Sequence, residues 1–185
     1  MSTQPRKEHL LNVAHQLFNE HGYHATGIDK ILAEAGVSKA TLYKYFPKKE
    51  ALILQVLQRR HDQLAATFEQ AITDASNQPF PALALFDVLD DWFNSDDFFG
   101  CNFSKASGEY PDKQDDIHQY AAWHKESVKI LIVDSLPFNK YKNTELADGL
   151  TLLMDGAIIA AQVKGDKKAA KKAKKIAEAL LISEE

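Results

Sequence analysis

The stretch TGIDKILAEAGVSKATLYKYFPKKE, residues 26–50, carries the strongest structural signal in this 185-residue chain. Thr26 followed by Asp29 resembles a capping box, in which side-chain oxygens accept backbone N–H groups as a helix begins. Apolar residues then recur at helical spacing up to Ala35. Gly36 stands where this pattern stops, and glycine readily adopts the left-handed conformation that ends many helices. A short helix is therefore predicted before Gly36.

A second short helix is predicted directly after the glycine. Ser38 is a favourable N-cap residue, and Pro47 disfavours a helical conformation for the residue before it. Leu42 and Phe46 lie four residues apart, so both side chains can pack inward from one side of the helix. Two short helices joined by a tight turn form a helix-turn-helix, whose second helix can enter the major groove of DNA.

The residues around this motif resemble the TetR-type family of transcriptional regulators, from about residue 6 to residue 52. The most specific part is the pair Leu42-Tyr43, the pair Tyr45-Phe46 and the run at 49–52. The other matching residues lie in the first two predicted helices and the turns that follow them: Ala14, Leu17, Phe18, Gly22, Tyr23, Thr26, Ile28, Ile31 and residues 35–38. The rest of the chain resembles the family only in length and helical character.

The resemblance implies that residues 1–50, here called the head, bind DNA. Three head residues match the phosphate contacts of the family: Thr26, Tyr43 and Lys49. Five more are candidates for contacts in the groove: Lys39, Ala40, Thr41, Lys44 and Tyr45. Lysine can donate to guanine, and a methyl group can contact thymine. For Tyr43 and Tyr45, which flank Phe46, packing within the protein is the alternative.

Charge is distributed unevenly along the chain. The formal net charge is −4, yet residues 1–60 contain nine Lys and Arg against five Asp and Glu, and the remainder contains thirteen against twenty-one. A basic N-terminal third favours contact with DNA phosphates, whereas an acidic remainder is repelled by them. The alternative is ordinary solvated charge, which does not explain why the basic segment coincides with the helix-turn-helix.

The pattern along the chain predicts an all-α protein of about nine helices, because its eight glycines and six prolines fall mostly between periodic stretches. We expect a three-helix head over residues 1–50 and a helical ligand-binding and dimerisation domain over residues 51–185. A long helix from about residue 48 to 74 would join them. The first helix is expected at residues 5–21. Later helices are expected to begin at Phe80-Pro81, to end at Glu109 and to begin at Pro111. The last two are expected from a cap at Asn143-Thr144 to Gly165 and at about residues 166–181.

The last two helices are the predicted contact between two copies of the chain. A symmetric dimer binds two half-sites of a near-palindrome, and the family resemblance implies a four-helix interface. Small residues allow close approach, and the candidates are Ala157, Ala161, Ala169, Ala173, Ile176, Ala177 and Leu180. Lysines from 167 to 175 would line the solvated side; a basic surface for DNA or lipid is the alternative.

A pocket for a small hydrophobic or aromatic ligand is predicted between helices of the second domain. Its candidate lining residues, each of which is otherwise a core residue, are Trp92, Phe98, Phe99, Cys101, Phe103, Tyr120, Trp123 and Met154. The family resemblance implies a repressor, which ligand binding would release from its operator. A thiol-based redox or electrophile sensor at Cys101 is the alternative, because this cysteine precedes a short helix with Lys105 four residues on. Crowding by phenylalanines favours an inert thiol instead.

Other functional classes lack their sequence signals. There is no phosphate-binding glycine loop, G-x-S-x-G or H-E-x-x-H, so neither an enzyme nor a cofactor is predicted. His21 and His24 have no further ligands beside them, so no metal site is expected. A single cysteine and no stretch near 18 apolar residues suggest a cytoplasmic protein without membrane contact. An all-α ligand-binding or adaptor protein whose head does not bind DNA is the remaining alternative, against which Lys39, Tyr43 and Lys49 argue.

Overall fold

The computed structural model describes residues 3–184 and confirms the all-α prediction. This part of the chain contains nine α-helices, one short 3-10 turn at Pro81–Leu83 and no strand. The helices are α1 (Thr3–His21), α2 (Ile28–Ala35), α3 (Lys39–Tyr45), α4 (Lys49–Asp74), α5 (Ala84–Phe93), α6 (Asn102–Glu109), α7 (Asp116–Ser135), α8 (Lys140–Lys164) and α9 (Ala169–Ile182).

The helices form two compact units. The first unit contains the described residues up to His61 together with Cys101–Trp123, and the second contains Asp62–Gly100 and the residues from His124 onward. Helices α4 and α7 each contribute their first part to the first unit and their remainder to the second. The head lies within the first unit, and its boundary as a separate functional domain stays a prediction.

The core of the first unit forms around α1, which packs against α2. One face of α1 is buried, and α2, α3 and α4 contribute further buried side chains to this core. Removing such a side chain from water contributes about 1.5–3 kcal/mol. The fully buried aliphatic and aromatic residues of this core include Leu10, Phe18, Tyr23, Ile31, Leu42, Leu52, Ile53 and Leu57.

Two glycines end helices of the head, as predicted. Gly22 and Gly36 have φ angles of 85° and 61°, in the left-handed region that disfavours residues with a side chain. The N–H of Gly36 donates to the carbonyl oxygen of Leu32, so it satisfies a carbonyl that the end of α2 leaves without a helical partner. These two turns set the directions in which α2 and α3 begin.

The predicted capping box at the start of α2 is wrong. Gly27 occupies the N-cap position, and no side chain caps the helix there. Thr26 is fully buried, and its hydroxyl lies 2.7 Å from the carbonyl oxygen of Gly22 and 3.2 Å from that of Leu17. Thr26 therefore fastens the chain before α2 to the end of α1, where carbonyl groups have no helical partner.

α7 begins later than predicted. It starts at Asp116 and not at Pro111, after a turn in which the Asp115 carboxylate accepts the N–H of Ile117 at 2.8 Å. The acidic side chain caps the first turn of the helix, so it determines the start more strongly than the proline does.

α8 begins earlier than predicted, because a different asparagine caps it. Asn139 accepts the N–H of Lys142 at 3.1 Å. Asn143 is buried inside the helix, where its amide donates to the carbonyl oxygens of Val133 and Leu136. Asn143 thus fixes the loop between α7 and α8 and does not cap a helix.

In the second unit, α9 packs against α5 and α8 through a face of small residues. Lys171 and Lys174 of α9 also pair with Asp90 and Asp87 of α5, at 3.0 and 2.6 Å. Surface pairs that involve exposed side chains contribute less than about 1 kcal/mol each, so the buried face holds α9 in place. Its buried residues are Ala169, Ala170, Ala173, Ala177 and Leu181.

α8 is, over residues 3–184, the one helix long and apolar enough to cross a membrane by length and composition. The expectation that no stretch approaches this limit is therefore wrong by that measure. The helix has eight buried residues and packs against α5 and α9. These are the contacts of a core helix, and core helices can satisfy the same measure.

Candidate nucleic-acid interface

α3 is a seven-residue helix that is anchored by its cap and by two buried side chains. The Ser38 hydroxyl accepts the N–H of Thr41 at 3.2 Å, which confirms the predicted N-cap. Leu42 is fully buried, and Phe46, which follows the last helical residue, is buried as well. Because both side chains point into the first unit, the opposite side of α3 faces outward.

The outward side of α3 is basic and polar. No Asp or Glu occurs from residue 35 to residue 49, so no carboxylate of this segment offsets its lysines. A helix with ammonium groups, a phenol hydroxyl and one small side chain has suitable donors and contacts for a major groove. The residues on this side are Lys39, Ala40 and Lys44, which are exposed, Tyr43, which is 39% exposed, and Thr41, which is half-buried.

Lys49 lies at the start of α4, beside the turn between α1 and α2. Its ammonium nitrogen is 3.5 Å from the carbonyl oxygen of His24. Burial lowers the pKa of Lys49, and the charges of Glu50 and Glu109 oppose this shift. The ammonium adds to the positive end of the α4 dipole, an arrangement that suits a phosphate group.

Two of the eight candidate DNA contacts are placed differently from the rest. Thr26 has no exposed surface, and its hydroxyl already bonds within the chain. Tyr45 is half-buried, and its ring lies edge-on to Phe46 with the centroids 6.4 Å apart. Contact with DNA stays a prediction for all eight, and the geometry supports it best for Lys39, Ala40, Tyr43, Lys44 and Lys49.

Replacing Ser38 by alanine removes the N-cap of α3, and we expect the free energy of unfolding to fall by about 1 kcal/mol. Urea unfolding followed by circular dichroism measures the change. Ser38→Asp is the matched control, because its carboxylate can accept the same N–H group. An equal loss in both variants would contradict the capping role.

A contact that the sequence analysis did not predict joins the turn after α1 to α6. The N–H groups of Tyr23 and His24 donate to the two carboxylate oxygens of Glu109, at 2.9 and 2.5 Å. The ammonium of Lys105 donates to the carbonyl oxygen of Asn19 at 2.7 Å. These partners are 85 or 86 positions apart in the chain, so no local pattern could reveal them.

The interior of this contact is also polar. The Tyr23 hydroxyl donates to the carbonyl oxygen of Asn102 at 3.1 Å, and burial raises the pKa of the Tyr23 phenol. The side-chain amide of Asn102 donates to that of Asn19 at 3.3 Å. Burial lowers the pKa of Lys105. The start of α6 and the end of α1 are therefore joined by buried hydrogen bonds, which cost more to break than exposed ones.

The residues predicted to line a ligand pocket are divided between the two units. The second unit contains Trp92, Phe98, Phe99 and Met154, and the first contains Cys101, Phe103, Tyr120 and Trp123. The ring centroids of Trp92 and Phe98 are 4.9 Å apart, and those of Tyr120 and Trp123 are 5.1 Å apart. A pocket lined by all eight stays a prediction.

Cys101 occupies a packed position. It is 7% exposed, and its sulfur accepts the N–H of Ser104 at 3.5 Å as the N-cap of α6. A sensor thiol must be accessible to its oxidant. The burial therefore favours a structural role over the sensor alternative.

The alanines predicted to lie between two copies are buried within one chain. Those of α8 and α9 belong to the packed faces of these helices, which leaves them little surface for a partner. Exposed apolar surface lies beside these alanines, where four aliphatic side chains are 50–74% exposed. These residues, called the apolar stripe, are Leu152, Ile159 and Val163 of α8 and Ile176 of α9, of which Ile176 is among the predicted interface residues. A contact between copies stays a prediction. The seven- and four-residue spacing along α8 was the sequence signal for the other three.

Residues 10–56 match the sequence model of the family described as bacterial regulatory proteins, tetR family. The transcriptional activator FasR of Mycolicibacterium smegmatis is 37% identical over 91 residues, 49% of this chain and 42% of FasR. The transcriptional repressor DhaR of Mycobacterium sp. strain GP1 is 35% identical over 95 residues, 49% of this chain and 48% of DhaR. The chain thus spans less than half the length of these relatives.

Solved structures resemble nearly the whole chain. SCO4454, a TetR-family transcriptional regulator from Streptomyces coelicolor, is 26% identical with a TM-score of 0.85, over 97% of this chain and 96% of its own. A TetR-family regulator from Cytophaga hutchinsonii has a TM-score of 0.83 at 17% identity, over 99% and 96% of the two chains. The second likeness concerns the fold alone.

Proposed function

Because the chain belongs to the tetR family of bacterial regulatory proteins, we propose that it regulates transcription by binding a specific double-stranded DNA operator through α3. The observation that carries this proposal is the two-sided character of α3. Leu42 is buried beneath it, while Lys39, Tyr43 and Lys44 face outward in a segment without carboxylates. Base edges would be contacted from this side, and Lys49 at the start of α4 would position the protein on a phosphate.

The proposed DNA-binding form is a homodimer. One seven-residue helix makes few contacts, so two heads on the half-sites of a near-palindrome supply the affinity. The apolar stripe supports a second copy of the chain as its partner, because exposed aliphatic side chains gain most when both copies bury them. A groove of about 240 Å³, lined by Leu152 and Ile176 of the stripe together with Gly156 and Ala160, offers space for side chains of the partner.

We further propose that the chain is a cytoplasmic repressor that a small hydrophobic or aromatic molecule releases from DNA. DhaR is named a repressor and FasR an activator, so transcription of a reporter in the presence and absence of the protein distinguishes the two modes. A ligand can release the protein only if it binds the form with low DNA affinity more tightly than the form with high affinity.

Selection of genomic DNA fragments by the purified protein, followed by footprinting and a salt titration, tests the proposal. We expect a short near-palindrome, bound with an affinity that falls steeply as salt rises. Equal, weak binding to all fragments at physiological salt would contradict operator binding and favour the adaptor alternative.

Replacing Lys49 by methionine is expected to weaken binding to all DNA sequences by a similar factor. The slope of log affinity against log salt should become less negative by about 1, because one phosphate contact is lost. Fluorescence anisotropy at several salt concentrations measures this slope. Lys140→Met, which removes an exposed lysine in the second unit, is the matched control. An unchanged slope in Lys49→Met would argue against the phosphate contact.

A further inference from the structure

The turn at residues 22–24 is built to hold an anion. Gly22 adopts the left-handed conformation, and the next two N–H groups, of Tyr23 and His24, point toward one carboxylate. Successive N–H groups beside a left-handed residue form a concave site for negatively charged groups. In this chain Glu109, the last residue of α6, occupies that site with one oxygen on each N–H group.

The carboxylate fits closely against the turn. A Cβ atom at Gly22 would lie 2.8 Å from Oε1 of Glu109, so any residue larger than glycine at this position would displace the carboxylate. The imidazole Nδ1 of His24 is 3.7 Å from Oε2 of Glu109, and the ring of Tyr110 lies 4.7 Å from that of His24. Together with the bond from Lys105 to α1, these contacts hold the turn on α6.

The same turn contacts the side chain proposed to bind phosphate. The carbonyl oxygen of His24 lies 3.5 Å from the ammonium of Lys49, and its N–H group bonds to Glu109. One peptide segment therefore connects the carboxylate of α6 with the lysine at the start of α4. A displacement of α6 would free two N–H groups and move the carbonyl group that orients Lys49.

We propose that Glu109 is a positioning residue for DNA binding. It fixes the turn at residues 22–24, and through this turn it orients Lys49 for a phosphate contact. The affinity for DNA then depends on the position of α6. This inference rests on the proposed function, since it concerns the same DNA-binding surface.

The sign of the effect distinguishes this role from simple charge. A carboxylate near DNA repels phosphate, so neutralising it should strengthen binding. A positioning role predicts instead that neutralising the carboxylate weakens binding. In Glu109→Gln the side-chain NH₂ is a donor and cannot accept an N–H group, so one bond to the turn is lost. Glu109→Asp keeps the charge but is one methylene shorter, so the turn loses support without a change in net charge.

The experiment compares the affinities of the wild type, Glu109→Gln and Glu109→Asp for the selected operator at one salt concentration. We expect both variants to bind about tenfold more weakly, a coupling of ordinary size. Asp116→Asn, which neutralises an exposed carboxylate of the same unit, should bind equally or more tightly. Unchanged or tighter binding by the folded Glu109→Gln protein would overturn the proposal.

A double-mutant cycle with Lys49→Met separates positioning from general loss of stability. If Glu109 acts through Lys49, the double variant should bind no more weakly than the weaker single variant. If the affinity losses of the two single variants multiplied in the double variant, the proposal would be overturned, because Glu109 would then act independently of Lys49.

Amide hydrogen exchange tests, without DNA, whether Glu109 holds the turn at residues 22–24. The N–H groups of Tyr23 and His24 should exchange slowly in the wild type and at least about tenfold faster in Glu109→Asp, because one fixed acceptor is withdrawn from them. Fast exchange in the wild type would show that Glu109 does not hold the turn, and would refute the proposal. Slow exchange combined with no operator binding by the wild type would refute the proposed function while confirming that Glu109 fixes the turn.

Discussion

Replacing Leu42 by alanine is expected to lower the free energy of unfolding by about 2–5 kcal/mol and to weaken operator binding more than any single change on the outward side of α3. Leu42 is fully buried, and together with Phe46 it anchors a helix of only seven residues. Isolated helices of this length are unstable in water, so α3 depends on this packing for its structure. Removing the side chain leaves a cavity and deprives the residues proposed to contact DNA of their support.

Lys44→Ala is the matched control for Leu42→Ala, because it shortens an exposed side chain on the same helix. Its free energy of unfolding should stay within about 0.5 kcal/mol of the wild type, although it removes a candidate DNA contact. Urea unfolding and operator titration on the same samples give both quantities. A stable Leu42→Ala protein with normal operator affinity would contradict the role of Leu42 as an anchor.

The head could be predicted because its signals are local. Gly22 and Gly36 have backbone conformations that other residues rarely adopt, and Ser38 satisfies an N–H group three residues away. Each requirement concerns a few neighbouring residues, so the sequence around it contains the information. The family resemblance in the same segment strengthened the prediction.

Errors arose where two residues offered the same local signal. Asn139 and Asn143 can both cap a helix, and the structure uses Asn139 because Asn143 bonds to carbonyl groups in and just after the last turn of α7. Thr26 resembles a cap in sequence but donates to carbonyl groups at the end of α1. In both cases a partner from another element decides between equal local choices.

The contact between Glu109 and the turn at residues 22–24 could not be predicted for a related reason. The carboxylate is the only ionisable group among the last three residues of α6, and in sequence it resembles any solvated helix end. Its partners are backbone N–H groups, which every residue except proline possesses. Only the folded chain reveals that Gly22 leaves room for this carboxylate.

The predicted dimer interface illustrates a limit of alanine patterns. A stripe of small residues indicates that a helix approaches a neighbour closely, but it does not say whether the neighbour belongs to the same chain. Here α8 and α9 use their alanines against each other and against α5. The larger aliphatic residues that remain exposed are therefore the better candidates for a contact between copies.

Replacing Ile159 by glutamate is expected to convert the proposed dimer into a monomer and to weaken operator binding at least about 100-fold. Ile159 is the middle residue of the apolar stripe on α8, between Leu152 and Val163. In a dimer its side chain would be buried at the contact, and an unpaired charge there costs about 3–5 kcal/mol. In the monomer the residue is half exposed, so the substitution should change the free energy of unfolding little.

Sedimentation velocity over a range of protein concentrations, combined with operator titration, measures both effects of Ile159→Glu. Ile130→Glu is the matched control, because Ile130 is similarly exposed but lies on α7, outside the stripe. It should remain a dimer and bind the operator with the affinity of the wild type. If the Ile159→Glu protein were still a dimer, the interface would lie elsewhere on the chain. A monomer that retained full affinity would show instead that one head suffices, because the second head would then add no contacts to the DNA.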